Sequence, residues 1–303
     1  MKKILRHKLH ITVNLKQFLQ KKSKELVPLD LPNANSIMRL ETSAISGKMI
    51  RGSLLLFAHE MFGGKYLQAA LQSAAALEIM QTALLIHDDI MDQDEMRRGQ
   101  ISVHTQYKLW AQEKNIASSE RFGENIGICM GDIAFFLSFE LLGNLAVPEE
   151  IKTQVLSTYS QELSRVGFGQ IRDVYHSMAT DEPTAQDILK VYESKTARYT
   201  FVLPLVLGAY LAEQSPQVIN ELTQLGIHIG LLFQLVDDRL SIFGTEKETG
   251  KPAGTDISRN NKTLYRYYLL RKSTPVLKKK LQNIFGKPVT MQDIDDVKNL
   301  IPE

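Results

Sequence analysis

A chain of 303 residues that is 44% hydrophobic and 23% charged can bury a large core, as one big domain or two small ones. Its formal net charge of +2 provides no broad basic field for nucleic acid or a membrane surface. Cys129 is the only cysteine, which rules out an internal disulfide and suits a reducing cytoplasm.

In chain order, Met1 to Gln20 mixes basic and apolar residues and has no unbroken apolar stretch of the kind a signal peptide needs. Gly63-Gly64 punctuates the chain ahead of Leu67–Met91, a segment rich in Ala, Leu, Ile and Met without Pro or Gly, which predicts a helix. Arg98-Gly99 marks the next break. Phe122–Leu142, Pro148–Met178, Thr184–Glu213 and Gln217–Phe243 repeat the same apolar density at helical spacing, with stops at Pro148, Asp181-Glu182-Pro183, Ser215-Pro216 and Thr249–Gly254. Period-two alternation is absent, as is a tight hairpin dipeptide between apolar runs, so no strands are expected. The longest apolar runs, near Phe201–Ala212 and Leu225–Val236, are too short to span a bilayer, so no transmembrane segment is expected. Without a linker, repeat or low-complexity stretch, residues 1–303 are read as one all-α domain with a buried central helix layer.

Two acidic constellations stand out. The run Gln81-Thr-Ala-Leu-Leu-Ile-His-Asp-Asp-Ile-Met-Asp92 puts Asp88 and Asp92 four apart, on one helical face. Unpaired at about 5 Å and an effective dielectric near 20, they would repel by on the order of 3 kcal/mol. A cation would neutralise them, and oxygen-only ligands favour Mg²⁺, which keeps waters and binds substrate phosphates. Alone, the pair fits a solvated helix end equally well. Leu231-Leu-Phe-Gln-Leu-Val-Asp-Asp238 is a second apolar helix that closes on paired carboxylates, and the two suggest acids facing each other across a cavity. Cations cluster at Lys48 and Arg51, at Arg97 and Arg98, and at Lys195, Lys251 and Lys262. Ordinary surface ion pairs would use the same residues, but a metal flanked by Arg and Lys is also what a departing diphosphate requires.

With these motifs the chain resembles the trans-isoprenyl diphosphate synthases, or polyprenyl synthetases, over roughly Ser46 to Thr263. Asp88-Asp-Ile-Met-Asp92 followed by Arg97-Arg98-Gly99 is similar to the family's first aspartate-rich motif. Phe233-Gln234-Leu-Val-Asp237-Asp238 followed by Gly250-Lys251 is similar to the second. Gly47-Lys48 with Arg51, Gly169-Gln170 with Asp173, and Lys195-Thr196 match three further signatures. Three positions depart from the pattern: Ser241 replaces the usual third aspartate, the upstream segment lacks its second Arg and Pro, and Asn260-Asn261-Lys262 stands where an acidic-Gly-Lys is commoner.

The resemblance implies an isoprenoid synthase fold, an antiparallel helical bundle around a central active-site cavity, and Mg²⁺-dependent condensation of isopentenyl diphosphate with an allylic diphosphate. It implies three Mg²⁺ held by Asp88, Asp92 and Asp237, with Asp89, Asp238 and Ser241 supporting them. Arg97, Lys195 and Lys251 would grip the allylic diphosphate, and Lys48, Arg51, Gln81 and Arg98 would hold isopentenyl diphosphate. Lys262 would sit in a closing loop, and Thr196 and Gln234 would turn oxygen dipoles toward the allylic cation. A homodimer in the cytoplasm, without nucleic acid, is expected.

Each residue also has a plainer role open to it. Gln81 could be a satisfied core polar group, and Thr196 could bond back to its own helix. His87 is expected to pack or hydrogen-bond rather than ligate metal, and His104 to be structural. Phe135, Phe136 and Phe139 are expected in the core, one of them a candidate for the product tunnel. Met38, Met49 and Met61 are read as structural. A terpene cyclase would carry a different second metal motif and lack the cations Lys48, Arg51 and Arg98. A non-catalytic subunit of a hetero-oligomeric synthase would usually have lost an aspartate motif. For product length, bulky aromatics just before the first motif floor the pocket in the family. Here Ala83 and Leu84 stand at that level and Met80 lies deeper, which favours a C20 product, then longer chains, then C15.

Overall fold

The helix-forming segments fold much as their composition dictates. The computed structural model describes residues 6–244 and 254–300. It begins with α1 (Lys8–Leu26), α2 (Ser36–Ile45), α3 (Ile50–Met61) and α4 (Leu67–Met91). A short hairpin of β1 (Met96–Arg97) and β2 (Gln100–Ile101) leads to α5 (Val103–Glu113), α6 (Ser119–Gly143) and α7 (Glu149–Met178). α8 (Ala185–Val191) runs into a π-helical stretch, Tyr192–Val202, and then α9 (Leu203–Tyr210). α10 (Pro216–Phe243), the single turn Thr255–Ser258, α11 (Leu264–Lys272), α12 (Pro275–Ile284) and α13 (Met291–Lys298) follow. The all-α expectation holds, and α4 starts and stops at the residues read from the sequence.

Three expectations need correction. The hairpin was not anticipated: Met96 pairs with Ile101 and Arg97 with Gln100, antiparallel, around a turn in which Arg98 (φ 54°) and Gly99 (φ 73°) are both left-handed. Two positive φ angles suit the twist of a tight hairpin, but Arg at the first position hides that preference from a search for Asn-Gly or Asp-Gly. The predicted helix over Thr184–Glu213 contains the π-helical stretch, which has wider turns than its periodicity implies. α4 and α6, at 25 residues each, are long and apolar enough to cross a membrane, which a search for unbroken apolar runs overlooked. The most apolar window of α4 is 78% buried inside the protein, as a core helix of a globular unit would be.

Contacts gather the chain into two compact units. The first, Met1–Tyr159 with Leu203–Leu222, is built around α4. This helix is apolar on nearly every side and packs against α6, α3 and α1. Its fully buried Leu77, Ile79 and Met80 each contribute about 1.5–3 kcal/mol by leaving water. α5 and α9 complete this unit against α6 and α3. The second unit, Ser160–Val202 with Thr223–Glu303, contains a small core of Leu269, Leu270, Leu281, Ile284, Ile294 and Val297.

In the second unit α10 approaches the π-helical stretch so closely that a side-chain carbon at Gly230 would collide with the Cα and Cβ of Ala197. Gly230→Ala is therefore expected to lower stability by about 1–3 kcal/mol, as overpacked cores do. Urea unfolding of the purified variant checks this, and an unchanged midpoint would mean that the two helices slide apart at no cost.

Candidate functional site

In the first unit, α4 ends with its acids sorted by its own pitch. Asp88 and Asp92 lie on the more accessible side, Asp88 half-buried and Asp92 exposed. Asp89, about 100° further round the helix, is buried. The hairpin returns Arg97 to this acid. Arg97 Nε donates to Asp89 Oδ1 at 2.5 Å, and its Nη2 lies 3.3 Å from Asp94 and 3.6 Å from Asp88. Burial pushes the Asp89 carboxyl up to about 6 even though Arg97 pulls it down. Asp89 is thus buried beside the more accessible pair and held by Arg97. Arg97, expected to face a diphosphate, is here bound to the carboxylates.

The expected isopentenyl cations also collect in this unit. The guanidinium of Arg98 lies over Gly47, where a side-chain carbon would come within 2.6 Å of Nη1. Burial raises the carboxyl of Glu78 on α4 above its usual range, against Gly52 N, which donates to its Oε1 at 2.8 Å, and the charges of Arg51 and Arg98. Lys48 is exposed beside them. Gln81 is buried, and its carbonyl oxygen has no partner among the described residues. A recess lined by Ser43, Ser46, Thr82, Asp89, Arg97 and Arg98 opens next to the acidic end of α4.

His87 packs, as expected. Its Nε2 lies 3.1 Å from the Ile128 carbonyl, and its ring sits on Gly131 of α6 where any side chain would clash. His104 is buried in a local cluster, with Nδ1 3.2 Å from Ser102 Oγ and Nε2 3.3 Å from Thr105 Oγ1, which supports its structural reading. Ala83 and Met80 are fully buried, and Leu84 is half-buried. Phe135 and Phe139 are half-buried, but Phe136 is 72% exposed. Assigning Phe136 to the core was wrong: among the described residues nothing covers its side of α6. Met49 is buried, whereas Met38 and Met61 are exposed.

In the second unit the end of α10 repeats the sorting. Asp237 is exposed and Asp238 buried. Gln234 Nε2 donates to Asp238 Oδ1 at 2.8 Å, and Tyr192 donates its hydroxyl hydrogen to Oδ2. The Tyr192 oxygen in turn accepts from Leu264 N at 3.0 Å. Burial raises the Asp238 carboxyl to about 7 against these hydrogen bonds. Ser241 lies one turn further on, half-buried. Lys195 and Thr196 sit in the π-helical stretch, a geometry enriched at functional sites. Lys195 Nζ pairs with Asp173 at 2.5 Å, joining two of the sequence signatures. Lys262 is drawn toward Glu182, 3.3 Å away, which also binds Arg266. Lys251 lies outside the described residues.

Among the described residues no three His, Cys, Asp or Glu side chains form a group that could hold a metal by themselves. Mg²⁺ does not require one, since it binds through one or two carboxylates plus waters and phosphate oxygens. The donor set fits such an ion: each unit offers accessible carboxylates beside a buried one, Asp89 or Asp238, whose carboxyl burial pushes upward.

Sequence reasoning missed Glu78 and Tyr192. An acid within the apolar run Ala74–Met80 was a usable signal for Glu78, whereas nothing local marks Tyr192. Tyr192→Phe removes one of the two side-chain donors that reach buried Asp238 among the described residues. It is expected to cost about 1–3 kcal/mol and to slow turnover, read by thermal unfolding and steady-state rates on the same preparation. Native values for both would show that Tyr192 does not support Asp238.

The model of the polyprenyl synthetase family matches residues 36–302. A geranylgeranyl diphosphate synthase of Saccharolobus solfataricus is 30% identical over 258 residues, covering 84% of this chain and 72% of that one. A geranylfarnesyl diphosphate synthase of Aeropyrum pernix is 27% identical over 274 residues, 89% of this chain and 80% of that one. Among solved structures, a geranylgeranyl pyrophosphate synthase from Corynebacterium glutamicum, complexed with isoprenyl diphosphate and magnesium, superimposes with a TM-score of 0.90 at 30% identity. It is matched over 98% of this chain and 85% of its own. The fold is that of these synthases.

Proposed function

The chain belongs to the polyprenyl synthetase family of prenyltransferases, and on that premise we propose that it is an all-trans prenyl diphosphate synthase joining isopentenyl diphosphate to an allylic diphosphate. The observation that carries this is the twice-repeated helix end, with Asp88 and Asp92 on α4 and Asp237 on α10 accessible while Asp89 and Asp238 are buried and hydrogen-bonded. Asp88, Asp92 and Asp237 would hold Mg²⁺, three ions in this reading. Mg²⁺, when bound, supplies charge that stabilises the departing diphosphate.

The chain's own residues do the rest. Lys195 and Lys251 would hold the allylic diphosphate, Arg97 would reach it only with the N–H groups that its contact with Asp89 leaves over, and Lys262 would close near it. Lys48, Arg51, Gln81 and Arg98 orient isopentenyl diphosphate so that its double bond meets the allylic carbon as the carbon–oxygen bond breaks. Thr196 and Gln234 offer oxygen dipoles to the developing cation, and apolar walls keep water from it. The attack leaves a cation on the isopentenyl unit, a carbon beside that cation gives up a proton to form the new double bond, and the released diphosphate takes the proton. We read the chain as a single prenyltransferase domain.

We favour geranylgeranyl diphosphate as product, because small Ala83 and not an aromatic ring stands near the acidic motif, with Met80 buried deeper on α4. Longer and C15 products are the alternatives. The test is product analysis of the purified single chain with isopentenyl diphosphate and farnesyl diphosphate, with and without Mg²⁺. Metal-dependent C20 formation is expected. Absence of turnover by the single chain would favour a non-catalytic subunit.

We also propose a cytoplasmic homodimer. Ile128 and Phe136 stand exposed on α6, an apolar surface that a second copy would cover. Light scattering at micromolar concentration is expected to give twice the chain mass, and a monomer would contradict it.

A further inference from the structure

α3 begins without the cap its position needs. Its first turn must leave backbone N–H groups unsatisfied unless something accepts them, and Ser, Thr, Asp or Asn normally does so from the N-cap. Here the N-cap is Met49, left-handed at φ 54° and without a side-chain capping bond. Such a conformation in a long side chain persists only where its surroundings enforce it. The missing acceptor comes from another helix. Glu78 of α4, only 5% exposed, accepts from Gly52 N at 2.8 Å, the third residue of α3.

The segment held this way carries the chemistry. Lys48 immediately precedes Met49, Arg51 is the second residue of α3, and both Arg51 and Arg98 attract the Glu78 carboxylate. Gln81, one turn along α4 from Glu78 and on the same face, has a buried carbonyl oxygen without a partner among the described residues. These are the groups assigned above to isopentenyl diphosphate, and the following rests on that assignment.

We propose that Glu78 is a positioning residue for the isopentenyl diphosphate site, capping α3 from α4 and thereby fixing the Gly47–Arg51 turn and the Arg51 and Arg98 guanidiniums in their binding geometry. Glu78 touches no substrate. Its effect therefore falls on one substrate and not on the chemistry in general.

The experiment is steady-state kinetics of purified Glu78→Leu and Glu78→Gln, with isopentenyl diphosphate and farnesyl diphosphate varied separately. Glu78→Leu removes the acceptor and is expected to raise KM for isopentenyl diphosphate about tenfold, the size of one lost hydrogen bond involving a charged group. KM for farnesyl diphosphate should stay within about twofold. Glu78→Gln keeps an oxygen at Gly52 N and should recover most of the loss. Equal changes in both KM values, a fall in kcat alone, or a Gln variant as impaired as the Leu variant would overturn the positioning role. Should Glu78→Leu fail to fold, amide exchange of the unaltered protein decides. Exchange at residues 50–53 should slow on adding isopentenyl diphosphate and not on adding farnesyl diphosphate, and any other pattern would overturn the proposal. A wild-type chain without turnover would instead contradict the proposed function, a failure distinct from these.

Discussion

Asp88→Ala is expected to lower turnover by about 10²–10³-fold, the scale of losing one preorganised electrostatic contact to the reacting group, while leaving the fold intact. The fold should survive because Asp88 lies in the last turn of α4 and is half-buried, outside the packed apolar part of that helix. Ala is the best helix former, and removing an acid from a helix C-terminus relieves an unfavourable interaction with the dipole. Asp89 keeps its own contacts with Arg97 in the variant. Asp237→Ala should behave alike, since Asp237 is exposed and buried Asp238 keeps Tyr192 and Gln234. The measurement is turnover at saturating substrates and Mg²⁺, with circular dichroism on the same samples. Near-native rates in both variants would remove these carboxylates from the metal assignment.

Ala83→Phe is expected to shorten the main product toward C15. Ala83 is fully buried and lies one turn before His87 on the same face of α4. His87 packs on Gly131 and lies 5.8 Å from Phe135, ring to ring, so this face looks onto α6. A phenyl ring at position 83 enters that seam one turn, about 5.4 Å, below His87, roughly one isoprene unit deep. The cost in stability should be about 1–3 kcal/mol if the site is a cavity wall. Met80→Ala should act in the opposite sense and lengthen the product. Mass spectrometry of products at saturating isopentenyl diphosphate reads both. If Ala83→Phe turns over yet leaves the longest product unchanged, position 83 does not line the tunnel, and Phe135 and Phe139 become the next candidates. Phe136, exposed on α6, no longer ranks with them.

Much of this protein was legible in the amino-acid sequence because the signals concerned are local. The bounds of α4 follow from an Ala-, Leu- and Ile-rich stretch that ends in acids. The separation of Asp88 and Asp92 from Asp89 follows from helix pitch alone, and the structure bears it out at 3% exposure for Asp89. The packing role of His87 was equally readable from its place beside the acidic motif. Only the tertiary structure decided the rest. Arg97 turns back onto Asp89 because a hairpin with an unexpected Arg-Gly turn carries it there. Glu78 meets Gly52 across 26 residues, and Tyr192 meets Asp238 across 46. The turns that carry Lys195 and Thr196 widen into a π-helix where Gly230 lets α10 come close. Periodicity encodes which face of a helix is apolar. Which buried polar group satisfies which partner depends on how separate helices pack, and no short stretch of sequence carries that information.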